Sequence, residues 1–109
     1  MTQEKLQEMQ LLEQGLHNVM AQKQAFQMEL SETQTALSEI RDSGEEVYKI
    51  VGQLMIKSEK SKVEEDMKNK EKLLEIRLKS LEKQESTITD KLESIRSELM
   101  KDVDKKKGK

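Results

Sequence analysis

The side chains in this chain most capable of chemistry are one histidine, His17, and 22 Asp and Glu residues. A common zinc site takes several His and Cys ligands at short spacings. With no Cys and no second His, the chain cannot complete one around His17. The carboxylates are scattered without the Gly-containing loop spacing that calcium requires, so they are expected to form solvated helix faces. No Gly-rich loop is present to cradle phosphates, and no Ser, Thr or Lys stands with a base as a nucleophile pair. An enzyme is not expected, nor a metal or cofactor, and any nucleotide dependence belongs to a partner. What remains is the chemistry of contact: apolar side chains, and the elements that decide which are buried and which are offered.

A chain of 109 residues is a single domain, 1–109. It is 33% hydrophobic and 39% charged, with one Phe, one Tyr and no Trp, so it lacks the side chains that usually fill a compact core. Composition alone would suit disorder, but the apolar residues are spaced, not scattered. That spacing points to an elongated coiled coil that completes its burial against other subunits. The absence of Cys excludes disulfides and suits an intracellular, cytoplasmic setting. No run approaches the roughly 20 apolar residues of a membrane span, and no signal-peptide pattern opens the chain. A net charge of −2 argues against a nucleic-acid partner. Residues 101–109 carry five Lys against two Asp, either as a solvated tail or as a docking strip for an acidic partner.

Two arms carry the periodicity. In the first, Met9, Leu12, Leu16, Val19, Lys23, Phe26, Leu30, Thr33, Leu37 and Ile40 alternate spacings of three and four, the seam of a left-handed coiled coil. The polar members Lys23 and Thr33 cost stability and help to fix register. Asp42-Ser43-Gly44 ends the arm, with Gly44 suited to a left-handed closing position. An arm over 2–42 is about 60 Å long at 1.5 Å per residue. The second arm, 61–104, opens on Ser61-Lys62-Val63-Glu64, a capping-box pattern. Its seam runs Met67, Leu74, Leu78, Leu81, Glu85, Ile88, Leu92, Ile95 and Leu99, with Glu71 charged between the first two. The expected fold is mainly α, an antiparallel two-helix coiled-coil hairpin. A parallel homodimeric coil would satisfy the seams but leave the insert between the arms unexplained.

That insert, 45–58, has β-branched or apolar runs on either side of Gly52-Gln53. Gly at the first of two loop residues is what a type II′ turn requires. Val51 then pairs with Leu54, Ile50 with Met55, and Lys49 with Ile56. One face carries Val47, Val51, Leu54 and Ile56; the other carries Tyr48, Ile50 and Met55. Two largely apolar faces and two unpaired edges ask for partners, because a lone two-stranded hairpin is marginal in water. A hairpin folded back on its own arms is the alternative.

The stretch from Val47 to Lys57, together with Leu74-Glu75-Ile76-Arg77-Leu78-Lys79-Ser80-Leu81-Glu82-Lys83-Gln84-Glu85 downstream, resembles the β class of prefoldin subunits. The arm–hairpin–arm plan is similar from end to end. One hairpin suits the β class, whereas the α class carries two. The resemblance implies a hexamer of two α and four β subunits whose hairpins form a double β-barrel. It also implies an ATP-independent holdase that binds non-native polypeptides at its coil tips and passes them to a group II chaperonin. Val47, Tyr48, Ile50, Val51, Leu54, Met55 and Ile56 are then the assembly residues.

The expected client-binding tip is Leu6, Leu11, Met100 and Val103, which lie off the seams, together with the terminal seam residues Met9, Leu12 and Leu99. Lys105, Lys106, Lys107 and Lys109, in the basic tail 105–109, are the candidate chaperonin-docking residues. Met20 and Met28 lie off the seam without being terminal. Leu73 and Ile76, also off the seam, are expected beneath the β body or against a neighbouring subunit. The rival reading is a structural tether that binds specific folded partners and protects no unfolded ones.

Overall fold

The structure is a computed structural model that describes the backbone of residues 2–107 and the side chains of residues 3–101. In chain order it consists of α1 (Thr2–Asp42), β1 (Glu46–Val51), β2 (Leu54–Glu59) and α2 (Lys60–Lys107). Two units arise from this string. One joins residues 1–24 to 79–109, and the other comprises 25–78.

In the first unit the helices run antiparallel, because partners on α2 descend as positions on α1 rise. Lys5 meets Glu98 at 3.0 Å, Glu13 meets Arg96 at 3.9 Å, and Lys23 meets Glu85 at 3.1 Å. Val19, Leu81, Leu92 and Ile95 are buried between them. Met9, Leu12, Leu16, Ile88 and Leu99 are half-buried. Every one of these lies on the expected seam. Lys5 extends it by one further step of four below Met9, with a half-buried stem and its ammonium on Glu98. Gly15 faces α2, and a Cβ there would stand 3.9 Å from Ile88 Cδ1, ordinary contact distance.

The second unit is also antiparallel: Lys70 reaches Glu29 at 3.2 Å and the Arg77 guanidinium lies 5.7 Å from the centre of the Phe26 ring. Leu37, Leu74 and Leu78 form its core, and Thr33 is buried among them. The Thr33 hydroxyl donates to the Glu29 carbonyl at 2.8 Å, which removes the penalty of a buried unpaired polar group.

The hairpin has the expected register, with Val51 opposite Leu54, Ile50 opposite Met55 and Lys49 opposite Ile56, continuing to Glu46 opposite Glu59. Gly52 has φ +62°, and no non-Gly residue has positive φ among the described residues. Positive φ at the first loop residue alone is the type II′ signature, whose twist matches the flanking strands.

Both expected helix caps differ from the sequence reading. Gly44 does not adopt left-handed geometry. Instead the Ser43 hydroxyl and amide both donate to the Ile40 carbonyl, at 2.7 and 3.2 Å, and Lys60 Nζ donates to the carbonyls of Ser43 and Arg41 at 2.8 and 3.5 Å. A cation among the final carbonyls satisfies orphan acceptors and opposes the negative end of the helix dipole, so no left-handed residue is needed. Ser61 forms no capping box. Strand β2 passes into α2 with no intervening loop, which leaves Ser61 inside the first helical turn, its hydroxyl without a hydrogen bond among the described residues.

Two stability measurements follow from this packing. Gly15→Ala removes the entropic cost of a mid-helix glycine where a methyl group fits, and should raise stability by about 1 kcal/mol in thermal unfolding. Lower stability would show that the approach to Ile88 has no room. Lys23 and Glu85 have side chains 26% and 32% exposed. Glu85→Leu strands the ammonium and should cost about 1–2 kcal/mol, between the values for surface and buried pairs. The double replacement Lys23→Leu/Glu85→Leu should recover that loss. A neutral single variant would mean that the pair contributes nothing.

Candidate functional site

The site begins with a shortage. Two paired helices have one shared seam, and apolar residues outside it have nowhere to go. Among the expected tip residues, Leu6, Leu11 and Met100 are exposed, Leu11 at 70% and Met100 at 64%. Met9, Leu12 and Leu99 are half-buried on the seam. Antiparallel pairing through Lys5–Glu98 and Glu13–Arg96 sets residues 5–13 of α1 alongside residues 96–98 of α2, with Leu99 and Met100 immediately beyond, so these six side chains belong to one end of their unit. Val103, Lys105, Lys106, Lys107 and Lys109 lie outside the residues whose side chains are described.

On the hairpin, Tyr48, Ile50, Val51, Leu54, Met55 and Ile56 are exposed, reaching 72% at Ile50 and 68% at Met55. Val47 is the exception. It is buried at the inner end of β1, beside Ala36, Ile40 and Met67. The hairpin is thus anchored through one side chain and presents apolar surface elsewhere, on both faces that the alternation of the strands defines.

Charges at the first unit's seam were only partly legible. Spacing puts Lys23 and Glu85 on the two seams but does not by itself pair them. Opposite charges at seam positions, one in each arm, were the available signal. The Lys5–Glu98 pair could have been found by continuing the three–four count one step toward the terminus. His17 is exposed, as are Met20, Met28, Leu73 and Ile76. Among the described residues no group of three His, Cys, Asp or Glu side chains is placed to hold a metal ion, and no helix is long and apolar enough to cross a membrane.

These features recur in known proteins. The family model described as "Prefoldin subunit" matches residues 3–106. The prefoldin subunit beta of Thermococcus onnurineus is 42% identical over 85 residues, covering 76% of this chain and 73% of its own. That of Thermococcus kodakarensis is 39% identical over 89 residues, covering 80% and 76%. The crystal structure of the prefoldin beta subunit from Thermococcus strain KS-1 superposes with a TM-score of 0.86 at 36% identity, over 92% of this chain and 90% of that one. With seam, single hairpin and fold all in agreement, the chain belongs to the prefoldin subunit family, and its likeness is to the beta class.

Proposed function

We propose that this chain is a subunit of an ATP-independent holdase. Its hairpin joins α-class and further β-class subunits, two α and four β in all, and the paired ends of its helices hold non-native polypeptides for delivery to a group II chaperonin. Membership of a chaperone family supports the general role. The observation that carries the finer reading is the apolar surface at the helix ends, where Leu6, Leu11 and Met100 stand exposed beside the half-buried Met9, Leu12 and Leu99.

The energetics favour many weak holds. Each such side chain gives roughly 1.5–3 kcal/mol when fully buried, less the cost of ordering client and helix end. One end holds a client weakly. Several ends in one assembly hold it well, because the second contact forms at high effective concentration. Methionine adds tolerance, since its flexible thioether adapts to varied client surfaces. The lysines at 105, 106, 107 and 109 are the part of the chain best suited to an acidic patch on the receiving chaperonin.

The test is light scattering from a denatured client diluted into buffer containing this chain, assembled with an α-class partner, without ATP. The assembly should suppress aggregation. The triple variant Leu6→Ser/Leu11→Ser/Met100→Ser should keep its assembled mass while capturing client at least about tenfold more weakly. Undiminished protection by the variant would remove the site from these ends. An intact assembly that never protects would leave a structural tether in place of a holdase.

A further inference from the structure

Between the buried Leu81 and Leu92, the seam of the first unit loses cover at Ile88. Ile88 is half-buried, as is Leu16 beside Gly15 on α1, although neither stands at the end of the unit. Fraying therefore does not account for the exposure; Gly15 does. It faces Ile88 without a side chain. A Cβ there would stand 3.9 Å from Ile88 Cδ1, and no other side chain beyond its chain neighbours lies within 4 Å. The chain thus keeps a helix-weakening residue in mid-helix, at a place where a methyl group fits.

Ile88 forms the apolar wall of a shallow recess of about 340 Å³ on α2, whose other members are Ser80, Lys83, Gln84 and Thr87. Two hydroxyls and a carboxamide supply donors and acceptors there. None of these three side chains makes a hydrogen bond among the described residues. Ser80, Gln84 and Thr87 follow steps of four and three, so they form one row along the helix. Lys83 is the one charge, and no acid lines the recess. On α1, Leu11 lies four residues before Gly15, on the same face, and is 70% exposed. Apolar surface therefore continues from the helix end, through the opening at Gly15, to the recess.

The recess has the chemistry of a main-chain receptor. A folded protein presents a main chain whose polar groups are already bonded, whereas a non-native polypeptide also offers unpaired N–H and C=O groups along its length. An apolar wall beside a row of neutral donors and acceptors matches that second kind of surface, and bonding to main chain makes no demand on sequence. One cation without an acid favours neutral or acidic segments over basic ones.

We propose that the opening at Gly15 offers Ile88 to an aliphatic side chain of an extended segment of the non-native client, whose main chain bonds the row Ser80, Gln84 and Thr87. The inference rests on the holdase reading and deepens it: client is held along the flank of the coil as well as at the end formed by Leu6, Leu11 and Met100. Gly15 is then a specificity-determining residue that exchanges helix stability for access.

The chain contains no Cys, so a thiol introduced into it is unique. Full-length Thr87→Cys chain carrying a maleimide-linked benzophenone, assembled with an α-class partner, would be irradiated with reduced and carboxymethylated lactalbumin as the unfolded probe. Covalent adduct is expected at least about fivefold above that from Glu82→Cys, exposed on the same helix about 140° round from Thr87. Adding Gly15→Ala to the Thr87→Cys chain should raise the melting temperature yet lower the adduct about two- to fivefold, the worth of one blocked methyl contact. Gly15→Leu should lower it further. Adduct at Thr87 no higher than at Glu82, from an assembly that still suppresses aggregation, would overturn the flank assignment and leave capture at the helix ends standing. Adduct unmoved by either Gly15 variant would remove the opening from the contact and overturn the proposal. An assembly that neither captures the probe nor suppresses aggregation would overturn the holdase reading and this inference with it.

Discussion

A two-helix coil has one layer of apolar contact, and that limit governs what this chain can bury. A compact core surrounds a side chain from every direction; a seam between two helices covers it from one side and flanks it with solvent. No large side chain here is wholly buried among the described residues, and even central seam leucines keep a few per cent of their surface. Stability is spread thinly over many shallow contacts. Leu6, Leu11, Met20, Met28, Leu73, Ile76 and Met100, all away from the three–four count, are exposed in the single chain. The exposed leucines, methionines and hairpin residues are the remainder left by that geometry.

Polar residues on the seam act within the same limit. Lys23 with Glu85 occupies a level where two leucines would contribute more burial, and Lys5 at the end of the seam reaches out to the exposed Glu98. Uniform leucine contacts permit one helix to slide past the other by a heptad with little change in energy, whereas a charge has one complementary level. Thr33 is handled differently, with its hydroxyl turned back to its own helix, so it reduces apolar burial without choosing a partner. The first unit is therefore set in register by charge, and the second by Phe26 beneath Arg77 and by the anchored base of the hairpin.

Most of this was legible because it depends on local period. The seam residues of both arms were assigned from spacing, and all are buried or half-buried. The strand register followed from one glycine, because a two-residue loop fixes every pair beyond it. The caps were not legible. Gly44 and Ser61 each match a motif, but the carbonyls at the end of α1 are satisfied by Lys60, a residue 17 positions from Ser43. A motif read from neighbours in sequence cannot anticipate a competitor that arrives through the fold.

The junction at Glu59–Lys60 has a mechanical consequence. Strand β2 becomes helix α2 with no residue between them, while β1 is separated from α1 by residues 43–45. The hairpin is thus mounted asymmetrically, welded to one helix and tethered by a short leash to the other. A small torque on the strands passes into α2 through continuous hydrogen-bonded backbone but is absorbed on the α1 side by rotation of three residues. Lys60 sits at the pivot, its stem on α2 and its ammonium on the last carbonyls of α1. Loads gathered by the sheet are delivered to one arm first, so the two helices of this unit are not mechanically equivalent.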